Sequence, residues 1–400
     1  MREMKDSHVV WMGKIPACWK VIPVKYVVNI GNGSDPKKEG LTPVYGSGNA
    51  SFKTCGEHKE GPAVLLGRKG TVNIPQYIEG KYWNVDTAFD AKPVDDYNLK
   101  LFYYSAICFD YDNYSTQTAL PSMTQSTYNN FRVPLPSSDE QNRIVNYLDS
   151  KCSEIDAISA DIQKEIEILE QYKRSVITEA VTKGLDQDAE MKDSGVAWCP
   201  QIPSNWQYTN PKGLFGLRTD RAFRNDRQLT ASQEYGIVYQ DEYMEKTGNK
   251  VVTVTKDFSI LKHVEPDDFV ISMRSFQGGL EYSDKRGCIS SAYVMLIPNK
   301  EFVYAPFYRW FFKSSKYINA LQSTSNLVRD GQAMRYANFV KVPLFIVPIE
   351  EQKAIASYLD EKIEKVNSIL AEKKKQLEIL SNYKKSLIYE YVTGKKEVLT

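Results

Sequence analysis

The side chains with the clearest chemical potential in this chain are hydrogen-bond donors on short loops. Arg68 and Lys69 lie in the turn Gly67-Arg68-Lys69-Gly70, which follows the apolar strand candidate 63–66. Guanidinium and ammonium groups on such turns suit contacts with phosphates and guanine edges, while amide and hydroxyl groups suit other base edges. For each residue, a solvated loop or a local helix cap is the open alternative.

The second half of the chain follows the same order of apolar segments and polar loops. A strand is predicted at 269–273, a turn at 274–279, a helix at 302–318 and a polar loop at 327–336. The candidate contact residues are Arg68, Lys69, Gln117 and Ser122 in the first half and Arg274, Gln277, Arg329, Gln332 and Arg335 in the second.

The same survey argues against catalysis. The chain has neither the Asn/Asp-Pro-Pro-aromatic tetrapeptide of an adenine methyltransferase nor the Gly-x-x-x-x-Gly-Lys-Ser/Thr of a nucleotide hydrolase, and Gly31-Asn32-Gly33 alone is too weak for a cofactor loop. Six cysteines occur without a CxxC pair, together with three histidines. We therefore expect no catalytic residue, no metal site, no disulfide framework and no cofactor in this chain.

Composition indicates a soluble protein with a real core. A length of 400 residues predicts two or three domains, and a hydrophobic fraction of 42% is enough for each to have a core. No apolar run approaches the length of a membrane span of about 20 residues, and the start lacks a signal peptide, so the prediction is cytoplasmic with no membrane contact. Fifty-one basic residues against 50 acidic ones argue against nonspecific polyanion binding.

The elements that must position the candidate loops are two copies of one helix. A run that opens at Glu140-Gln141 returns, 211 positions later and without a gap, at Glu351-Gln352. Both copies contain the same short motifs at equivalent positions: Tyr-Leu-Asp, Ile-Leu, Tyr-Lys and Val-Thr. No proline or glycine interrupts either run over about forty residues, so each should be one helix roughly 60 Å long at ~1.5 Å per residue.

Apolar residues recur every seven positions along both helices. The predicted coiled-coil core is Leu148, Ile155, Ile162, Leu169 and Val176 in the first copy and Leu359, Val366, Leu380 and Leu387 in the second, where Lys373 interrupts the series. A companion row lies four residues earlier and includes Ile144, Ile158 and Tyr172, with Ile355, Ile369 and Tyr383 in the second copy. Together the rows read as heptad a and d positions.

A shorter repeat precedes each globular region. Asp6-Ser7, Val9, Trp11, Ile15-Pro16 and Trp19 return 187 positions later as Asp193-Ser194, Val196, Trp198, Ile202-Pro203 and Trp206. We call each copy the Trp motif. The order is therefore Trp motif, globular region and helix, twice over. The globular regions, roughly 20–135 and 207–346, differ in sequence and length, which suggests that they recognise different things.

Each globular region leads into its helix with almost no linker, so the second helix most simply runs back antiparallel along the first. The predicted fold class is α+β, with two globular α/β regions separated by an intramolecular antiparallel coiled coil with approximate two-fold symmetry. The predicted domains are 1–135 and 186–346 for the globular regions, and 136–185 and 347–400 for the helices.

The repeated helices, the Trp motifs and the duplicated order resemble the specificity subunit of type I restriction–modification enzymes. The resemblance covers nearly the whole chain, and the helices are its specific part. It implies that each globular region is a target recognition domain for one half of a split site on double-stranded DNA. It also implies that the helices set the gap and bind two methyltransferase subunits, which would carry S-adenosylmethionine, with restriction subunits joining outside.

The charge of the first globular region weighs against tight DNA binding by the chain alone. Residues 1–135 carry 15 basic and 13 acidic side chains, so that DNA affinity would depend on local patterning or on partners. The alternative is a two-ended protein scaffold on the same coiled coil, with globular ends that bind proteins instead of DNA. Selection of a motif from random duplexes would separate these readings, because a protein scaffold would select none.

Overall fold

The computed structural model describes residues 2–48, 50–116, 120–254, 258–272, 279–324 and 335–398. The chain forms two compact units. Unit 1 contains residues 1–164 and 373–400, and unit 2 contains residues 165–372. Each long helix contributes one half to each unit, so both units contain a globular region and a helix pair.

Unit 1 is a mixed α and β structure. Its strands are β1 (Met4–Asp6), β2 (Lys14–Pro16), β3 (Lys20–Pro23), β4 (Val28–Asn32), β5 (Thr42–Tyr45), β6 (Ser51–Cys55), β7 (Lys59–Glu60), β8 (Ala63–Gly67), β9 (Gln76–Ile78), β10 (Lys81–Asn84), β11 (Ala88–Pro93) and β12 (Arg132–Leu135). Its helices are α1 (Leu99–Ile107), α2 (Gln125–Asn130) and the first part of α3 (Ser138–Lys183).

Two four-stranded sheets form the globular part of unit 1. The first has the order β4-β11-β8-β9 and is antiparallel throughout. The second has the order β6-β5-β10-β7, in which β5 and β10 are parallel. All five residues of β8 are buried, as expected for the apolar run predicted there.

Unit 2 has the corresponding set of elements. Its strands are β13 (Met191–Asp193), β14 (Gln201–Pro203), β15 (Gln207–Thr209), β16 (Phe215–Arg218), β17 (Leu229–Ser232), β18 (Gly236–Tyr239), β19 (Lys262–Val264), β20 (Phe269–Ile271), β21 (Glu281–Tyr282), β22 (Gly287–Ile289), β23 (Val294–Pro298) and β24 (Leu344–Ile346). Its helices are α4 (Pro211–Leu214), α5 (Gln240–Thr247), α6 (Ala305–Phe311), α7 (Ser315–Ser323), α8 (Tyr336–Phe339) and the first part of α9 (Ile349–Val392).

The main sheet of unit 2 has the order β16-β23-β20-β21, which reproduces β4-β11-β8-β9 strand for strand. In each unit a short antiparallel pair also joins the start of the globular region to its end: β3 with β12, and β15 with β24. The single helix predicted over 302–318 is wrong, since α6 and α7 are separate. The hydroxyl of Ser314, the N-cap of α7, donates to the carbonyl of Phe311 at 2.8 Å.

Within each unit the two long helices run antiparallel. In unit 1 the ammonium of Lys384 lies 2.7 Å from the carboxylate of Asp156. In unit 2 the ammonium of Lys173 lies 2.7 Å from the amide oxygen of Asn367. Lys173 and Asn367 are the repeat equivalents of Lys384 and Asp156, at an offset of 211 positions. The two long helices are therefore packed in the same register in both units. The predicted fold class of two α+β regions with an antiparallel coiled coil is confirmed.

The predicted core row lies between the helices. Seven of its members are buried and two, Leu169 and Leu380, are half-buried. The companion row is only partly buried: Ile144 and Ile355, near the helix starts, are buried, whereas Ile158, Tyr172, Ile369 and Tyr383 are exposed. The second buried row instead lies four residues after the first and contains Cys152, Ile166, Ile363 and Leu370. Heptad spacing allows either flank, and the position of the partner helix decides between them.

The Trp motif of unit 1 contacts both the start of α3 and the end of α9. Trp19 is almost fully buried and donates its indole N–H to the carboxylate of Glu140, at 2.8 Å, at the start of α3. Pro16 and Trp19 also pack against Gly394, which follows α9 with a φ of +68°. A side chain at that glycine would collide with both rings, so the glycine is needed for this contact.

Unit 2 repeats this junction with different hydrogen bonds. Gly184, with a φ of +75°, follows α3 and lies against Pro203 and Trp206. Glu351, the repeat equivalent of Glu140, accepts from the side chain of Asn205 at 3.1 Å. Among the described residues, no acceptor lies within reach of the buried indole N–H of Trp206.

The repeated glutamines explain another part of the helix signature. Gln141 accepts from the backbone N–H of Asn98 at 2.9 Å and donates to the carbonyl of Pro136. Gln352 accepts from the backbone N–H of Tyr304 at 2.8 Å and donates to the carbonyl of Val347. Both amides are buried, and each ties the start of a long helix to the residue preceding α1 or α6.

The predicted domain bounds of 1–135, 136–185, 186–346 and 347–400 stay a prediction, and the compact units cut across them because each helix is divided between two units. In the part of the chain that the structure describes, no helix is long and apolar enough to cross a membrane. Over the same residues, no cluster of three or more histidine, cysteine or acidic side chains is arranged to hold a metal ion.

Candidate nucleic-acid interface

Two loops that are distant in the sequence are joined side by side in unit 1. The turn after β8 and the segment before α2 exchange backbone hydrogen bonds: Gly70 N–H donates to the carbonyl of Pro121 at 2.9 Å, and Met123 N–H donates to the carbonyl of Arg68 at 2.9 Å. Lys69 and Ser122 form the antiparallel bridge between them. We call this pair of segments, 67–70 and 120–123, the loop zipper.

The loop zipper rests on buried side chains. The hydroxyl of Tyr128 on α2 donates to the carbonyl of Gly67 at 2.7 Å, and Tyr128 packs edge-on against Phe89 of β11. Burial raises the pKa of Tyr128 well above its ordinary value, so its hydroxyl stays protonated as a donor. Met123 is buried in the same core. The exposed ends of the two segments are thus held on a rigid base.

A third loop reaches the same place from the β5–β6 hairpin. A side chain at Gly70 would lie 3.4 Å from the hydroxyl of Ser47 at the hairpin tip. The tip is fixed by the amide of Gln76, which donates to the carbonyl of Gly46 at 3.0 Å. No atom of another described loop lies within 4 Å of the position that a Cβ on Gly48 would occupy. The three loops therefore present an open, glycine-rich surface.

Of the two predicted cations in this turn, Lys69 is the more available. Its side chain is 47% exposed and its ammonium is 3.9 Å from the carboxylate of Asp86. Arg68 is half-buried: its guanidinium donates to the carbonyl of Asp86 at 3.4 Å and lies over the ring of Phe89. Lys69 can reach a phosphate or a base edge from this position, while Arg68 supports the turn.

Ser122 is part of the framework of the loop zipper. Its hydroxyl lies 3.1 Å from that of Thr116, and its backbone N–H donates to the same Thr116 oxygen at 3.0 Å. A serine hydroxyl has one proton and two lone pairs, so it can still accept or share a further hydrogen bond. Gln117 lies outside the described residues.

In unit 2 the described part of the predicted site is Arg335. It is exposed, and its backbone N–H donates to the side-chain oxygen of Asn338 at 3.1 Å. The amide nitrogen of Asn338 in turn donates to the carbonyl of Thr324 at 3.1 Å, so that residues 324 and 335 lie close together. The other predicted contact residues lie outside the described residues: Arg274, Gln277, Arg329 and Gln332.

Several other cations are engaged in internal pairs. Lys59 lies 2.8 Å from the buried carboxylate of Asp90, and Arg218 binds the buried Asp268 through two nitrogens at 2.6 and 3.0 Å. Hydrogen bonding to Asp268 raises the pKa of Arg218. Removing either cation would leave a buried carboxylate without compensation, which indicates a structural role.

Sequence reasoning missed two residues of this surface, Ser47 and Leu120. Ser47 stands between Gly46 and Gly48, in a segment for which the sequence analysis names no contact residue. Leu120 is 60% exposed next to Pro121, and its Cδ1 would lie 3.8 Å from a Cβ at Gly70. A glycine-flanked serine was a usable signal, whereas an isolated leucine carried none, because exposed leucines are common.

The arrangement of two similar units with different loops agrees with the comparison to protein families. Residues 16–168 and 203–379 match the type I restriction modification DNA specificity domain. The chain belongs to this family. The two matched segments contain both main sheets and most of both long helices, and the resemblance inferred from the repeats is confirmed.

Two relatives agree with this assignment. The chain is 25% identical over 297 residues to the putative type I restriction enzyme MjaX specificity subunit of Methanocaldococcus jannaschii, a match that covers 70% of this chain and 62% of that relative. It is 22% identical over 355 residues to the MjaVIII specificity subunit of the same organism, covering 84% and 76%.

The fold also matches a chain from a solved structure concerned with complex assembly and conformational transition of the type I R-M system. The TM-score is 0.65 at 13% identity, with 96% of this chain and 99% of that chain covered. The shared fold therefore extends over nearly the whole chain.

Proposed function

We propose that this chain is the DNA specificity subunit of a type I restriction–modification complex and that it reads a bipartite target on double-stranded DNA. Each globular region would read one half-site. The observation that carries this proposal is that one sheet topology occurs twice, in units of unlike sequence that both match the specificity domain. A repeated frame with different loops suits the reading of two different half-sites.

The chemistry of the loop zipper supports base reading. Lys69 can donate to guanine O6 and N7 or to a phosphate, and the hydroxyls of Ser47 and Ser122 can donate or accept at base edges. Gly48 and Gly70 leave room for a close approach. In unit 2 we assign the same task to Arg274, Gln277, Arg329, Gln332 and Arg335.

Catalysis would reside in partner subunits. We propose that two methyltransferase subunits, which carry S-adenosylmethionine, and the restriction subunits supply the reactions, and that this chain itself contributes no catalytic residue and no cofactor. We expect the complex to act in the cytoplasm, where the DNA that it reads lies.

The long helices offer two equivalent docking surfaces for such partners. Unit 1 exposes Ile158, Ile379 and Tyr383, each between 51 and 56% exposed. Unit 2 exposes the repeat equivalents Ile369, Ile168 and Tyr172, at 43, 64 and 43%. One triplet in each unit, made from the same positions of the repeat, suits two copies of one partner. We propose that these triplets bind the two methyltransferase subunits.

Weak DNA binding by the isolated chain follows from its charge. With 51 basic and 50 acidic residues, the electrostatic attraction to phosphates is small, and Lys59 and Arg218 are paired internally. Useful affinity should therefore appear only in the complex.

The test is selection from a pool of random-sequence duplexes by the chain together with its methyltransferase partner. We expect a motif of two short conserved blocks with a fixed, unspecified gap. A protein scaffold, the alternative function, would enrich no motif. The family match does not favour that alternative.

The spacer role has its own test. Insertion of one heptad into both α3 and α9, at repeat-equivalent positions between the units, should abolish selection or change the gap between the blocks. An unchanged gap would refute the role of the helices as a ruler, while leaving the reading of DNA intact.

A further inference from the structure

We infer that Leu120 reads the C5-methyl group of a thymine in the half-site of the first globular region. This inference rests on the proposed DNA-reading function and adds to it a base and the side chain that recognises it. Apolar contact with that methyl group is the means by which a side chain distinguishes thymine in the major groove without a hydrogen bond.

Leu120 is held in position by its neighbours. It precedes Pro121, which restricts its backbone to extended conformations. The carbonyl of Pro121 accepts from Gly70, the hydroxyl of Thr116 accepts from Ser122 N–H, and the next residue, Met123, is anchored in the core. Because the backbone on the C-terminal side of Leu120 is already ordered, its contact with a ligand has to order little more than the leucine side chain.

The surroundings of Leu120 leave it exposed. Its neighbour across the loop zipper is Gly70, which has no side chain to cover it, and a Cβ at Gly70 would lie 3.8 Å from the Leu120 Cδ1. The leucine side chain is 60% exposed. It is therefore available to a base edge that approaches this surface.

The polar groups around Leu120 favour DNA over a protein partner. The same loops carry Lys69, Ser47 and Ser122, whose ammonium and hydroxyl groups suit base edges and phosphates. An apolar protein interface usually needs a patch of several hundred Å². A single leucine among glycines, serines and a lysine is too small for that and is the right size for one methyl group.

The test uses the complex of the chain with its methyltransferase partner and duplexes that carry the selected motif. Each thymine of the motif, on either strand, is replaced singly by deoxyuridine, which lacks only the methyl group. We expect one position in one half-site at which the replacement weakens binding about fourfold, the factor that corresponds to burial of roughly one methyl-sized group.

The Leu120→Ala variant should bind the thymine and the deoxyuridine duplexes equally at that position. Leu41→Ala is the matched control, because Leu41 is 92% exposed and lies just before β5, at the end of the hairpin away from its tip. This variant should keep the fourfold difference.

Two results would overturn the inference while leaving the proposed function intact: a motif without any position sensitive to loss of the methyl group, or a sensitive position that Leu120→Ala leaves unchanged. Failure of the complex to select any motif is a different outcome. It would refute DNA reading itself and the role of Leu120 with it.

Discussion

The secondary sheets of the two globular regions have the same strand order but differ in how completely they are formed. In unit 1 the strands β6-β5-β10-β7 form one continuous sheet. In unit 2 the corresponding strands β18-β17-β22-β19 form two separate antiparallel pairs. Among the residues that the structure describes, a parallel bridge between Gln228 and Cys288 connects them. Helix α5 also follows the β17–β18 hairpin of unit 2, where unit 1 continues directly from β6 into β7.

This difference separates the parts of the fold that the two units share from the parts in which they differ. Both units share the main sheet, the short antiparallel pair (β3 with β12, or β15 with β24) and the packing of the Trp motif against the long helices. These elements hold the ends of the loops. The secondary sheet and its hairpin differ between the units: in unit 2 the sheet is divided into two pairs and the hairpin is followed by α5. The units therefore combine a conserved topology with variable loops, although their sequences show no obvious similarity in these regions.

The buried polar groups show a second contrast. Unit 1 pairs Asp90 with Lys59 and with the hydroxyl of Tyr82 at 3.0 Å. Unit 2 instead pairs Asp268 with Arg218 and Glu281 with Lys313, and it buries His263 between Asp226 and Glu265 at 2.7 and 2.8 Å. The same sheet topology is thus stabilised by different internal ion pairs.

The largest expected effect comes from exchanging a whole globular region. Replacement of residues 20–135 by the corresponding region of a relative should change one block of the selected motif and leave the other intact, because each region folds on its own sheet. Mismatched base pairs weaken binding by about 1–3 kcal/mol each, so the old half-site should fall to the nonspecific level. Motif selection by the chimaera measures this, and a change in both blocks would contradict independent reading.

The two Trp motifs offer the next largest effect. Trp19→Ala and Trp206→Ala should each lower the free energy of unfolding by about 3–5 kcal/mol, because both rings are fully buried. The corresponding Phe variants should affect the stability of the two units differently. Trp19→Phe also removes the bond to the Glu140 carboxylate, worth about 1.5–3 kcal/mol, whereas Trp206→Phe removes an indole N–H that lacks an acceptor among the described residues.

Denaturant unfolding followed by hydrogen exchange in each unit measures the four Trp variants. A loss in Trp206→Phe as large as that in Trp19→Phe would show that the hydrogen bond to Glu140 is not what distinguishes the junctions.

A pH effect of intermediate size is expected in unit 2. Burial raises the pKa of Glu281 above its ordinary value of 4.5, and Lys313 partly opposes this shift. Because the folded unit binds this proton more tightly than the unfolded chain, the stabilisation is fully present below pH 4.5 and is lost as the pH rises through the raised folded pKa. Glu281→Gln should therefore flatten the fall in unfolding free energy above pH 4.5.

Hydrogen exchange of the main sheet of unit 2 across this pH range is the measurement. Asp284→Asn, at an exposed position in the same segment, is the control for loss of a charge and should retain the slope. An unchanged slope in Glu281→Gln would contradict the assignment.

The smallest effect concerns the repeat-equivalent contacts between the long helices. A double-mutant cycle on Lys384 and Asp156 should give a coupling of about 0.2–1 kcal/mol that fades at high salt, since both side chains are partly exposed. The cycle on Lys173 and Asn367 should be less sensitive to salt, because Asn367 is uncharged. Equal salt dependence in the two cycles would contradict this difference.

Local patterns were sufficient for the repeat, the helices and the family. The ungapped spacing of Glu-Gln, Tyr-Leu-Asp and Val-Thr depends only on residues close in sequence, and so does the heptad row through Leu148 and Leu359. The turn at 67–70 could also be recognised, because glycines and an apolar strand bracket it. These features were the basis for predicting two globular regions on a pair of antiparallel helices.

Other features were decided only by the tertiary structure. The burial of Cys152 and Ile363 in place of most of the companion row depends on the side from which the partner helix packs. The meeting of Ser47, Gly70 and Leu120 depends on the register of strands far apart in the chain, and so does the pairing of Lys59 with Asp90. Sequence periodicity reports which residues prefer burial, but contacts between distant loops follow from sheet register and packing, which no local pattern contains.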